Sequence, residues 1–101
     1  MPYKLRFVQR ISQENKEKFL ELEREFINFE KKFNMPQGKR YLPVSGLEPN
    51  NTLIWECEFE TMELLLDQLN SIYTHPEHDR LLKLQIPFMQ DSYTEIYEVF
   101  T

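Results

Sequence analysis

The densest run of reactive side chains in this chain is Thr74-His75-Pro76-Glu77-His78-Asp79. Imidazoles exchange protons near neutral pH, so His75 and His78 are the candidate catalytic acid/base residues. Pro76 makes their spacing irregular and no third, distant ligand accompanies them, so no metal site is expected. The same run also reads as a helix start, with Thr74 and Glu77 as a capping box and both histidines in solvent. Trp55, together with Tyr41, Tyr73 and Tyr97, could line an apolar cavity with polar tips, the usual make-up of a small-molecule site. Trp55 could equally be plain core filling. Arg40 could hold an acidic group of a ligand or lie free at the surface. Cys57, the only cysteine, shares an alternating row with Trp55 and reads as a buried thiol of low reactivity.

The elements that must position these residues follow from hydropathy. Asn51 to Phe59 (NTLIWECEF) alternates, with Leu53, Trp55, Cys57 and Phe59 on one side and Ile54, Glu56 and Glu58 on the other. That is a strand with one face on a core. Tyr3 to Ile11 alternates in the same way, but its second row, Lys4, Arg6, Val8 and Arg10, is basic. Antiparallel pairing of the two strands sets Arg6 and Arg10 against Glu56 and Glu58. Each such pair adds a few tenths of a kcal/mol and helps fix the register.

Between them, Ser12 caps an amphipathic helix to about Phe33, with Phe19, Leu22, Phe26, Phe29 and Phe33 as its stripe. Asn34 and Pro36 stop it. Gly38 to Ser45 is a short strand confined to a sheet edge by Pro43, and residues 46–51 are turn-rich. Thr61 caps a second helix that Pro76 interrupts. A short helix runs on to about Leu84, and Ser92 to Phe100 is a last strand with aromatics on both faces, as if both were covered.

The order is β-α-β-β-α-β. It predicts an α+β, ferredoxin-like domain over residues 1–101, whose four-stranded antiparallel sheet has the order 4-1-3-2 and two main helices on one face. The other face keeps Arg6, Val8, Ile54, Glu56, Glu58 and Tyr97 or Phe100. This mixture suits burial against a second copy, so a homodimer through the open sheet face is expected.

Composition narrows the partners. The net charge of −5 and the lack of a long Lys/Arg cluster speak against nucleic acid and anionic membranes. Two glycines are too few for a phosphate-cradling loop. One cysteine permits no internal disulfide, and neither a signal-peptide core nor a membrane span is visible, so a cytoplasmic location is expected. The 14% of aromatics gives so small a domain enough bulk for a core or an interface.

YKLRFVQRIS before a long Phe-rich helix, the strand NTLIWECEFE, the segment IYTHPEHDRL and the closing EIYEVF together resemble the dimeric α/β-barrel superfamily. The pattern is most similar to antibiotic-biosynthesis-monooxygenase-like and NIPSNAP-like small proteins. The resemblance implies a dimer with a ligand-sized cavity between sheet and helices in each subunit. Members of that superfamily include cofactor-independent monooxygenases, haem-degrading enzymes and isomerases. Haem-degrading members combine a pocket Trp with a His and an Asn; no Asn aligns here, so no cofactor is expected. The resulting expectation is a small apolar or aromatic ligand and chemistry of the cofactor-independent monooxygenase or isomerase type. The alternative is a non-catalytic interaction or ligand-sensing protein.

Overall fold

The computed structural model describes residues 2–100. In chain order it contains β1 (Tyr3–Ile11), α1 (Lys16–Lys32), β2 (Lys39–Tyr41), β3 (Thr52–Phe59), α2 (Met62–Thr74), α3 (Pro76–Gln85) and β4 (Met89–Glu98). The strands form one antiparallel sheet ordered β2-β3-β1-β4, the expected 4-1-3-2 order read from the other edge.

The two alternating strands are neighbours. Leu5, Phe7 and Gln9 lie across from Cys57, Trp55 and Leu53, and this shared apolar row carries the helices. On the opposite face Arg6 sits across from Glu56, with 3.3 Å between their charged groups, and reaches Glu95 of β4 at 2.6 Å. The expected Arg10–Glu58 match does not form. Glu58 lies opposite Lys4, whereas Arg10 lies opposite Thr52 and pairs with Asp91 and Glu48. In this register Arg10 is too far along the strand to meet Glu58.

Three apolar clusters bind the helices to the sheet. Leu65 of α2 packs on Leu5 and Trp55, and Phe19 of α1 on Ile11 and Leu53. Phe26 and Phe29 hold Leu81 of α3. Asn34 ends α1 with a φ of 53°, and the Met35 N–H closes back on the Glu30 carbonyl at 2.8 Å, the left-handed cap expected of Asn.

Local details depart from expectation. Residues 13–15 form a 3-10 turn before α1, and the Ser12 hydroxyl accepts from the Asn15 amide rather than from a helix N–H. β2 is only three residues long, because the chain leaves the ladder before Pro43. β4 starts three residues early, at Met89, and ends at Glu98. It is an edge strand whose side chains are mostly exposed rather than covered on both faces. The open face is partly closed from within: Glu48 accepts from the Tyr93 hydroxyl and from Arg10. This draws the 42–50 loop across one end, where Val8 is fully buried.

Candidate functional site

Between the sheet and the helices lies a cavity of about 70 Å³. That is several times the space a water requires but well below a drug-sized site. β1 and β3 supply Phe7, Gln9 and Trp55; α1 supplies Glu23, Phe26, Phe29 and Glu30; α3 supplies His78, Leu82 and Gln85. Arg40 of β2 and Ile72 of α2 complete the wall. Five of the twelve lining residues carry aromatic rings, and four elements converge their polar groups on it.

The polar end is an ion cluster. The Arg40 guanidinium donates from Nε to Glu23 at 2.6 Å and from both terminal nitrogens to Glu30, and a further N–H reaches the Gln37 carbonyl. Both carboxylates are 8% exposed. Burial opposes the Arg40 charge, yet the hydrogen bonds and charges of Glu30 and Glu23 outweigh it and raise its pKa. Burial pushes the Glu30 carboxyl above the usual range; Arg40 opposes this and the neighbouring Glu23 charge adds to it. One cation thus faces two buried carboxyls.

Gln85 adjoins this cluster and is 1% exposed. Its Nε2 donates to Glu23 at 2.9 Å and to the Phe19 carbonyl at 3.3 Å. Since a carbonyl can only accept, the amide orientation is fixed. Its Oε1 is buried without a donor among the described residues.

Trp55 stacks on Phe7 with ring centroids 5.2 Å apart, and its indole N–H donates to the Gln37 carbonyl at 2.7 Å. Gly38 makes this approach possible. At its φ of +60°, a Cβ would lie 2.5 Å from the Glu56 carbonyl oxygen and under 3 Å from the indole. Trp55 is therefore both core and cavity wall.

The two histidines part company. His78 lines the cavity in edge contact with Phe26 and Tyr73, and among the described residues no protein group hydrogen-bonds its ring nitrogens. Burial lowers its pKa, so the ring is neutral at pH 7 and able to take a proton. His75 is instead the N-cap of α3. Its Nδ1 accepts from the Glu77 N–H at 3.1 Å, its ring packs on Phe29 and Phe33, and Pro76 takes the first helical position. The expected Thr74/Glu77 capping box is absent, because Thr74 ends α2 and its hydroxyl donates back to the Asn70 carbonyl.

The sequence candidates Arg40, Trp55 and His78 thus meet in one cavity. Tyr73 borders a neighbouring groove of about 270 Å³ along β4, which shares Phe7, Gln9, His78 and Leu82 with the inner cavity. Tyr41 and Tyr97 lie on the opposite sheet face, opposite Ile54 and Lys4. Arg40 has four of its five N–H donors engaged within the protein, so it is not free to grip an acidic ligand. Sequence reasoning missed Glu23, Glu30, Gln9 and Gln85. Among the described residues no group of three or more His, Cys, Asp and Glu side chains converges as a metal cage, and no helix is long and apolar enough to cross a membrane.

No protein-family profile matches the chain, and no curated protein sequence does. Solved structures do match. A NIPSNAP family protein from Agrobacterium tumefaciens superposes with a TM-score of 0.81 at 11% identity, over 99% of this chain and 94% of that one. An antibiotic biosynthesis monooxygenase gives 0.70 at 16% identity, over 98% and 99% of the two chains. A dimeric protein of ferredoxin-like fold from Bacteroides fragilis gives 0.68 at 19% identity, over 97% and 96%. The chain therefore has a ferredoxin-like fold, shared with these NIPSNAP-family and antibiotic biosynthesis monooxygenase structures.

Proposed function

We propose that this chain is a homodimeric small-molecule-binding protein whose cavity carries out proton transfer on a small aromatic molecule, with His78 as the base. The observation that carries the reading is the convergence of Trp55, His78 and Gln85 on one cavity. A neutral imidazole removes a proton from a substrate carbon and returns it elsewhere, which is isomerisation. If the resulting carbanion instead adds to molecular oxygen, the hydroperoxide formed loses water to leave a carbonyl, so one oxygen atom stays on the substrate and the other departs as water, which is cofactor-independent monooxygenation. Non-catalytic ligand sensing is the second reading. Its support is that Arg40, the cation in the wall, is spent on Glu23 and Glu30 rather than free to stabilise a developing enolate.

Exchange of the α-hydrogens of 4-hydroxyphenylacetone in D2O, followed by NMR, separates the two readings. Catalysis predicts at least about a hundredfold acceleration over buffer, the low end of what general bases contribute. His78→Gln should return the rate to background while binding persists. The pH profile should rise as His78 loses its proton, with its midpoint below the ordinary histidine value near 6.5, because burial lowers that pKa. Saturable binding with no acceleration would leave ligand sensing.

Dimerisation through the open sheet face rests on its composition. Its ion-pair ladder of Lys4, Arg6, Glu56 and Glu95 is flanked by half-exposed Tyr41 and Tyr97, while Val44 and Leu47 of the adjoining loop are 99% and 100% exposed. Light scattering at micromolar concentration is expected to give twice the 12.4 kDa chain mass. Leu47→Glu should shift it toward the monomer. A wild-type monomer would count against the dimer.

A further inference from the structure

The inner cavity is walled by more acceptors than the protein itself satisfies. Arg40 is surrounded by Glu23 and Glu30, two carboxyls against one cation, and four of its five N–H groups are already engaged. The Gln85 Oε1 has no donor at all among the described residues although the side chain is 99% out of solvent. A buried acceptor left without a partner destabilises the fold, and the fixed orientation of the Gln85 amide leaves no internal remedy. What the wall lacks is a donor. An anion would add a third negative group beside two carboxyls and would find at most one free N–H.

Size adds a second constraint. About 70 Å³ takes the head of a molecule, not a whole aromatic ligand. The groove of about 270 Å³ along β4 adjoins the inner cavity, with Phe7, Gln9, His78 and Leu82 lining both. Head and body of one ligand can therefore occupy adjoining spaces, with His78 at the junction.

Resting on the ligand-binding reading above, we infer that the cavity selects a planar, neutral or cationic molecule whose head carries N–H or O–H donors. The head, a phenol hydroxyl or an amidinium, sits against Gln85 Oε1 and the Glu23–Glu30 pair. The apolar body extends past His78 into the β4 groove, and carboxylates and phosphates are rejected.

Benzamidine and benzoate form the deciding pair, because they have nearly the same shape and opposite hydrogen-bonding character. Binding to the wild-type chain can be read from the fluorescence of Trp55, the only tryptophan and a wall of the cavity. Benzamidine is expected to bind at least tenfold more tightly than benzoate, with phenol between them. Gln85→Leu should cut benzamidine affinity roughly tenfold; if that variant does not fold, the wild-type ratio decides alone. Benzoate binding as tightly as benzamidine, or more so, would overturn the donor-head inference while leaving the cavity a ligand site. If none of the three compounds perturbs Trp55 at millimolar concentration, the ligand-binding reading falls and this inference falls with it.

Discussion

Arg40→Met is expected to destabilise the protein by about 3–5 kcal/mol at neutral pH, the usual consequence of removing one partner from a buried ion cluster. The cost comes less from the lost attraction than from Glu23 and Glu30, which are left desolvated beside each other with no counter-charge. The pH dependence identifies the cause. Burial holds the Glu30 carboxyl above its ordinary value even with Arg40 in place. Without Arg40 the folded-state value of Glu30 rises further, since the opposing hydrogen bonds and charge are gone. A group whose pKa is raised on folding favours the folded state fully below its unfolded pKa, and that contribution is lost as pH rises through the folded value. The gap between variant and wild type should therefore narrow as pH falls toward the unfolded carboxylate value near 4.3. Urea denaturation at fixed protein concentration, at neutral and mildly acidic pH, measures this. Replacing Glu23 and Glu30 by leucine together with Arg40→Met should recover much of the loss, because an apolar set does not have to hide charge. A deficit below about 1 kcal/mol, the range of surface pairs, or one independent of pH, would show that water reaches the cluster.

Gly38→Ala is the second large effect. The left-handed backbone at φ +60° costs an alanine about 1–3 kcal/mol. The added Cβ also meets the Glu56 carbonyl and the Trp55 indole at distances no methyl group tolerates, and such overpacking adds about 1–3 kcal/mol. To relieve the clash, either β2 must separate from β3 or the indole must leave the Gln37 carbonyl. Both would open the cavity wall, so the Trp55 emission should shift to the red along with the loss of stability. Gly46→Ala is the control: its φ is +136° and nothing lies within 4 Å of the added carbon. It should carry the backbone penalty without the spectral change. Equal losses in the two variants and an unmoved emission would remove Gly38 from any role in seating Trp55.

Much of the architecture was legible because sheet faces are written in period two. The apolar rows of the first and third strands and the opposed signs of their second rows specified the central pairing, and Arg6–Glu56 realises it. Arg10 was misassigned because parity gives the face of a residue but not its position along the ladder. Pro43 correctly signalled an edge, but nothing local showed that pairing would stop after Tyr41.

The site was legible only in part. Trp55, His78 and Arg40 stood out by type and do meet in the cavity. Glu23 and Glu30 did not, because they belong to a helix whose surface is full of Lys and Glu. Yet Phe19, Glu23, Phe26 and Glu30 recur at gaps of four, three and four, so both carboxylates sit in the buried stripe itself. Carboxylates in a core stripe require a buried cation, and that signal could have pointed to Arg40. Gln85 follows Leu81 by four residues and occupies the next inward position of α3 in the same way. The equivalence assumed for His75 and His78 failed because Pro76 starts a new helix between them, which turns one ring into a cap and the other into a wall.

A crystal structure of the wild-type chain soaked with benzamidine tests the central claim most directly. An amidinium is expected inside the inner cavity, within about 2.7–3.2 Å of Gln85 Oε1, with its ring passing His78 toward β4. A cavity closed by Phe26 or Trp55, with benzamidine absent or confined to the outer surface, would contradict it.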